Sequence, residues 1–134
     1  MVQIFYSHHT DTREFVHRRI NTESFDKACE IVDQYPWAQE IALFEELGEG
    51  GGFEFLLGDR RGPHAHYQFT PVEEGKGFLD VTVVAKSGLL GVLGRRALSR
   101  HFDLVTIEAA KTHIQELFEH SVEFLYRKHK LLKK

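Results

Sequence analysis

The chain has 134 residues, a single cysteine and a formal charge of -3 with neutral histidines. That length suits one domain, residues 1–134, able to bury about two-thirds of the surface its unfolded form exposes. The lone Cys29 excludes an internal disulfide, no apolar run is long enough to span a bilayer, and the start MVQIFYSHHTDTREF lacks the pattern of a secretory signal, so the expectation is a soluble, cytoplasmic protein.

Val2 to Ser7 and Arg13 to Ile20 are apolar strand candidates joined by a polar link, which predicts a hairpin with His8 and His9 at its tip pointing apart. Asn21, Thr22 and Ser24 then supply helix-start oxygens. Phe25, Ala28, Cys29 and Val32 repeat at helical spacing up to Tyr35, where Pro36 disfavours further helix. Cys29 lies on that apolar stripe and is expected to be a small buried hydrophobe. Pro36 can open a second helix, on which Trp37, Ile41, Phe44 and Leu47 share a face, Glu40, Glu45 and Glu46 lie elsewhere on the surface, and Gly48 is the stop.

From Gly48 to Lys86 the pattern changes to a period of two. Phe53 to Leu57, Ala65 to Thr70 and Phe78 to Ala85 form three strands of a meander. Ala65, Tyr67 and Phe69 share one face with Leu79, Val81, Val83 and Ala85, and Pro71 is expected to end the middle strand. The glycines at 48, 50, 51 and 52 follow a helix and precede a strand, with Glu49 among them and no lysine after. That is the reverse of a phosphate-binding loop. Gly88 to His101 reads as a long connection whose leucines fold against the core edge and whose arginines stay wet; an anionic or lipid surface site is the functional alternative. From Thr106, the apolar positions Ala110, Ile114, Leu117, Ser121, Phe124 and Leu125 trace one face of a closing helix to about Arg127.

Nine histidines invite a metal reading. His64 with His66, and His113 with Glu116 and His120, share faces, but neither group supplies three or four converging donors with a recognisable spacing, so no metal and no cofactor is expected. No serine lies in a strand-to-helix elbow, and the neighbouring carboxylates Glu45, Glu46 and Glu73, Glu74 point apart, so neither acyl-transfer nor glycosidase chemistry is indicated. Nucleic-acid binding is disfavoured by an acidic first half: from Asn21 to Asp59 there are ten acidic residues against Lys27 alone.

An acidic binder suits a basic partner, since opposite potentials steer association. The layout resembles the small immunity proteins of bacterial polymorphic-toxin systems. The resemblance is carried by the acidic helical start SFDKACEIVDQYPW, the glycine-opened strands GEGGGFEFLLGD and HAHYQFTP, and the closing helix TIEAAKTHIQELF, and covers roughly Ser24 to Phe118. It implies a non-catalytic inhibitor that covers the active site of a cognate, nuclease-like toxin. The basic Gly88 to His101 segment departs from that pattern and leaves room for another partner or a homo-oligomer contact.

The expected fold is a two-layer α+β domain, an antiparallel sheet of about five strands with helices packed on one face. Glu40, Glu45, Glu46, Glu49 and Asp59 are the expected contacts to the basic partner. The alternative is a small enzyme or ligand-binding domain holding an anionic molecule at His66, Arg95, Arg96 and His101; a third is a subunit of a larger assembly.

Overall fold

The computed structural model describes residues 1–86 and 95–133. In chain order these form β1 (Val2–His9), β2 (Phe15–Thr22), α1 (Phe25–Gln34), α2 (Trp37–Leu47), β3 (Gly52–Gly58), β4 (His64–Glu73), β5 (Lys76–Lys86), β6 (Arg96–Thr106), α3 (Ile107–Glu119) and α4 (Val122–Leu132). The class is α+β. One antiparallel sheet of six strands, ordered β2-β1-β3-β4-β5-β6, carries the helices on one face.

The alternation read from the meander is what buries the sheet. Phe53 and Phe55, Ala65, Tyr67 and Phe69, and Leu79, Val81 and Val83 all face the helices and are almost wholly excluded from solvent. Val2 and Ile4 extend that face onto β1, and Ala28, Val32, Trp37, Ala110, Ile114, Leu117 and Leu125 close it from the helical side. Each fully buried large side chain contributes about 1.5–3 kcal/mol through its lost water contact. The first hairpin joins the β3 edge of the meander through β1, with Ile4 opposite Phe55, and leaves β2 as the outer strand.

Helix boundaries follow local chemistry. Ser24 Oγ accepts from the Lys27 amide at the start of α1, and the extended Tyr35 ends the helix before Pro36. The α2 helix stops at Gly48, whose left-handed φ of 70° favours a residue without a β-carbon. At Gly51 a β-carbon would collide with the Ser7 carbonyl and the Tyr35 hydroxyl, so the glycine run is needed for close packing.

Four expectations change. Pro71 does not end its strand; β4 runs to Glu73 because the ladder with β5 absorbs the proline at a register shift between Pro71 and Glu73. The connection after β5 contains a sixth strand, β6, which pairs with β5 along its length. Its alternation is weak because an edge strand with polar residues on one side needs little apolar contrast. The closing helix is two helices: Ser121, read as part of an apolar face, is the cap of α4, and Phe124 is 48% exposed. Cys29 is half-buried rather than buried, and burial raises its thiol pKa. The glycine and leucine pattern at 88–94 lies outside the described residues.

Candidate functional site

The five carboxylates expected to form one acidic patch have three different fates. Glu40 is no surface group: it is 2% exposed, and its carboxylate accepts from the His9 amide at 2.8 Å and pairs with His9 Nδ1 at 2.9 Å. The helical spacing that put Glu40 outside missed the end of β1, which brings His9 across to α2. Glu46 is exposed but ion-paired with Arg13 from the β1–β2 turn. Asp59 is exposed and caps its own loop, accepting from the Arg61 amide at 2.9 Å. It also stands beyond the far end of β3 from Glu49, about 20 Å away at a rise of about 3.3 Å per residue. Glu45 and Glu49 remain exposed, with no ion pair among the described residues.

The alternative anion site does not assemble. His66 and His101 lie on the open face of the sheet with β5 between their strands. Arg96 reaches the helical side, where it bridges to Glu123 at 3.4 Å and covers the Tyr126 ring at 4.8 Å. His101 gives both ring nitrogens to carboxylates, Asp80 and Asp103, each at 2.6 Å; these hydrogen bonds raise its pKa. His66 has its pKa lowered, chiefly by burial, with Glu54 3.6 Å away opposing the shift. Arg95 shares a surface hollow with Thr82, Ser99 and Lys133, none of them a residue expected at the site.

A buried polar cluster that periodicity did not reveal joins the sheet to the last two helices. Tyr67 Oη donates to Glu116 Oε1 at 2.8 Å, and Lys128 Nζ donates to the other carboxylate oxygen. His129 Nε2 lies 3.1 Å from both Glu116 Oε1 and Tyr67 Oη, while Arg100 Nη1 stands 2.9 Å from His129 Nδ1. A guanidinium can only donate, so Nδ1 is the acceptor and the ring proton sits on Nε2, aimed at the Glu116–Tyr67 pair. Burial alone would raise the Glu116 pKa, but His113, His129, Lys128 and Tyr67 together outweigh it and hold the carboxyl far below its usual range. Burial and then the Glu116 charge push the Tyr67 hydroxyl well above its ordinary value. Each acid or base here is spent on another member, which makes a structural lock rather than a poised reactive group. The sequence carried one hint, the shared face of His113 and Glu116; its partners on β4, β6 and α4 come together only through the fold.

The clearest concavity with apolar walls lies at the other end of the sheet. It has a volume of about 310 Å³ and is lined by Ile41 and Phe44 of α2, Gly50 and Gly51, Pro71 and Val72 of β4, and Phe78 of β5, with Tyr35, Glu40 and Thr70 completing it. Beside it Phe44, Leu47 and Val72 are 54%, 46% and 37% exposed, a high degree of exposure for large apolar side chains so close together. No grouping of ligating side chains able to hold a metal ion occurs among the described residues, and no helix there is long and apolar enough to cross a membrane. The chain matches no protein-family model, and no curated protein or solved structure is significantly similar to it.

Proposed function

We propose that this chain is a non-catalytic protein-binding domain of the immunity type, which associates with a basic, nuclease-like toxin and masks its active surface. The observation that carries this reading is the end of α2, where the exposed Phe44 and Leu47 alternate with the exposed Glu45 and Glu49. Apolar anchors rimmed by one sign of charge are what a protein interface needs: the anchors supply most of the binding energy, and the rim sets partner choice and encounter rate. The acid and base groups elsewhere favour the same reading, because Glu40, Glu116, His129 and His101 are all engaged within the fold. Of the five carboxylates expected as contacts, the reading keeps Glu45 and Glu49 and gives Glu46, with its Arg13 pair, a secondary part.

The test begins with affinity capture from extract of the source cell and asks for a basic protein retained at equal stoichiometry. Association of that protein is then timed against wild type and the double variant Glu45→Lys, Glu49→Lys across a salt series. The expected result is slower association for the variant, by about tenfold or more at low salt, with a flattened salt dependence. An unchanged rate would show these carboxylates to be a solvated face only.

A further inference from the structure

The groove beside α2 has more to it than a bare apolar hollow. Two of its walls come from segments that end in free carboxylates: α2 runs into Glu45 and, past Gly48, Glu49, while β4 runs from Pro71 and Val72 directly into Glu73 and Glu74. All four carboxylates are exposed, and none is in an ion pair among the described residues. An apolar floor whose α2 and β4 walls each lead into exposed carboxylates, with Lys76 opposite Glu73 in the ladder as a base beside them, is complementary to one kind of protein segment: a large apolar side chain with lysines or arginines on either side.

Resting on the protein-binding reading above, we infer that this groove is the anchor pocket of the interface, and that the partner inserts a tryptophan or similarly large apolar side chain from a basic stretch. Aromatic anchors dominate interfaces because they remove 150–250 Å² from water, about the reach of a groove this size, at little cost in side-chain freedom. The cations beside the anchor are then held at the rim by Glu45 and Glu49 on one side and Glu73 and Glu74 on the other. Gly50 makes the groove adjustable at one point: a β-carbon there would stand 2.7 Å from Phe44 Cδ2 and force the ring to move. A side chain at 50 therefore alters the pocket's shape without touching its charge.

The test is an amide-resolved NMR titration of the full chain with the capped peptide Lys-Lys-Trp-Lys-Lys, against a control peptide with alanine in place of tryptophan. The tryptophan peptide is expected to shift the amides of Phe44, Gly50, Val72 and Phe78 saturably and to bind about tenfold or more tightly than the control, the discrimination expected of one buried aromatic anchor. Gly50→Val is expected to remove that discrimination, so that the tryptophan peptide binds the variant no more tightly than the control does. Phe44→Ala, at a residue already half in water, gives the same readout should Gly50→Val fail to fold. Equal binding of the two peptides, or shifts mapping away from the groove, would overturn the inference. So would a captured partner whose association responds to Glu45→Lys, Glu49→Lys but not to Gly50→Val or Phe44→Ala; the protein-binding reading would then stand without the pocket.

Discussion

Tyr67 on β4 and Glu116 on α3 meet through a 2.8 Å hydrogen bond under the last two helices, 49 residues apart in the chain. The phenol emerges from the middle of the buried sheet face, where the surrounding positions are Phe, Val and Leu, so its hydroxyl needs a partner from the helical layer. Glu116 provides it, and α4 then provides Lys128 and His129 to balance the carboxylate. The position of α4 over β4–β6 is thus specified by polar contacts as well as by the apolar packing of Leu125.

Removal of one member should therefore cost far more than its share of packing. Glu116→Ala is expected to lose about 3–5 kcal/mol, since it leaves Lys128, His129 and Tyr67 without their common acceptor. Tyr67→Phe is expected to lose about 1–3 kcal/mol. Urea unfolding of both single variants and the double variant gives the coupling, expected at about 0.5–3 kcal/mol for residues in one network. Strict additivity would mean that the cluster does not act as a unit.

The pH dependence has a definite sign. Glu116 has its folded pKa depressed below the ordinary 4.5, so it adds stability that is complete above that value and drains away as pH falls below it. His66, with its folded pKa lowered, acts in the same direction from pH about 6.5 downward, because protonation favours the unfolded chain. His101, with its folded pKa raised, acts oppositely: its contribution is full below about 6.5 and is lost as pH rises through its folded value. Stability measured against pH should accordingly fall less steeply below about pH 4.5 in Glu116→Gln than in wild type. His101→Gln should remove a decline that sets in as pH rises above about 6.5. Parallel curves for wild type and variant would refute the respective assignment.

What the sequence disclosed and what it withheld divide along physical lines. The period of two in HAHYQFTP and FLDVTVVA fixed both the strands and the face they bury, because a sheet covered on one side demands that contrast. The edge strand β6 makes no such demand. Its outward residues Ser99 and His101 and its inward Arg100 are all polar, the last because it points at His129 rather than at a hydrocarbon core. Glu40 was misplaced for a related reason. A glutamate on a helix is usually wet, and only the return of β1 puts His9 where a buried carboxylate can be satisfied. Polar groups that face inward depend on partners distant in sequence, and helical or strand periodicity carries no trace of them.

Glu40 and Glu45 are five residues apart on one helix and should respond to mutation in opposite ways. Glu40→Ala strips a buried imidazole and a buried amide of their acceptor and is expected to destabilise by about 3 kcal/mol or more. Glu45→Ala changes an exposed group with no ion pair among the described residues and should stay within about 0.5 kcal/mol of wild type. Thermal unfolding separates the two outcomes. A small effect at Glu40 would mean that His9 finds another acceptor.

Ser121 controls the break between α3 and α4, on which the lock around Glu116 depends. The chain leaves α3 at an extended His120, and Ser121 Oγ then accepts from the Phe124 amide at 3.1 Å, meeting one of the four unpaired donors of the new helix. Without the break, a continuous helix would carry Lys128 and His129 along the axis away from Glu116 of α3 and from Tyr67 on the sheet face. Ser121 is exposed, so its replacement tests the cap rather than packing. Ser121→Ala is expected to cost about 1 kcal/mol and Ser121→Gly only a few tenths, about 0.3 kcal/mol. Faster amide hydrogen exchange in the first turn of α4 should accompany the alanine variant. Equal stability of the serine and alanine forms would mean that the break is held by the packing of Leu125 and Tyr126 alone.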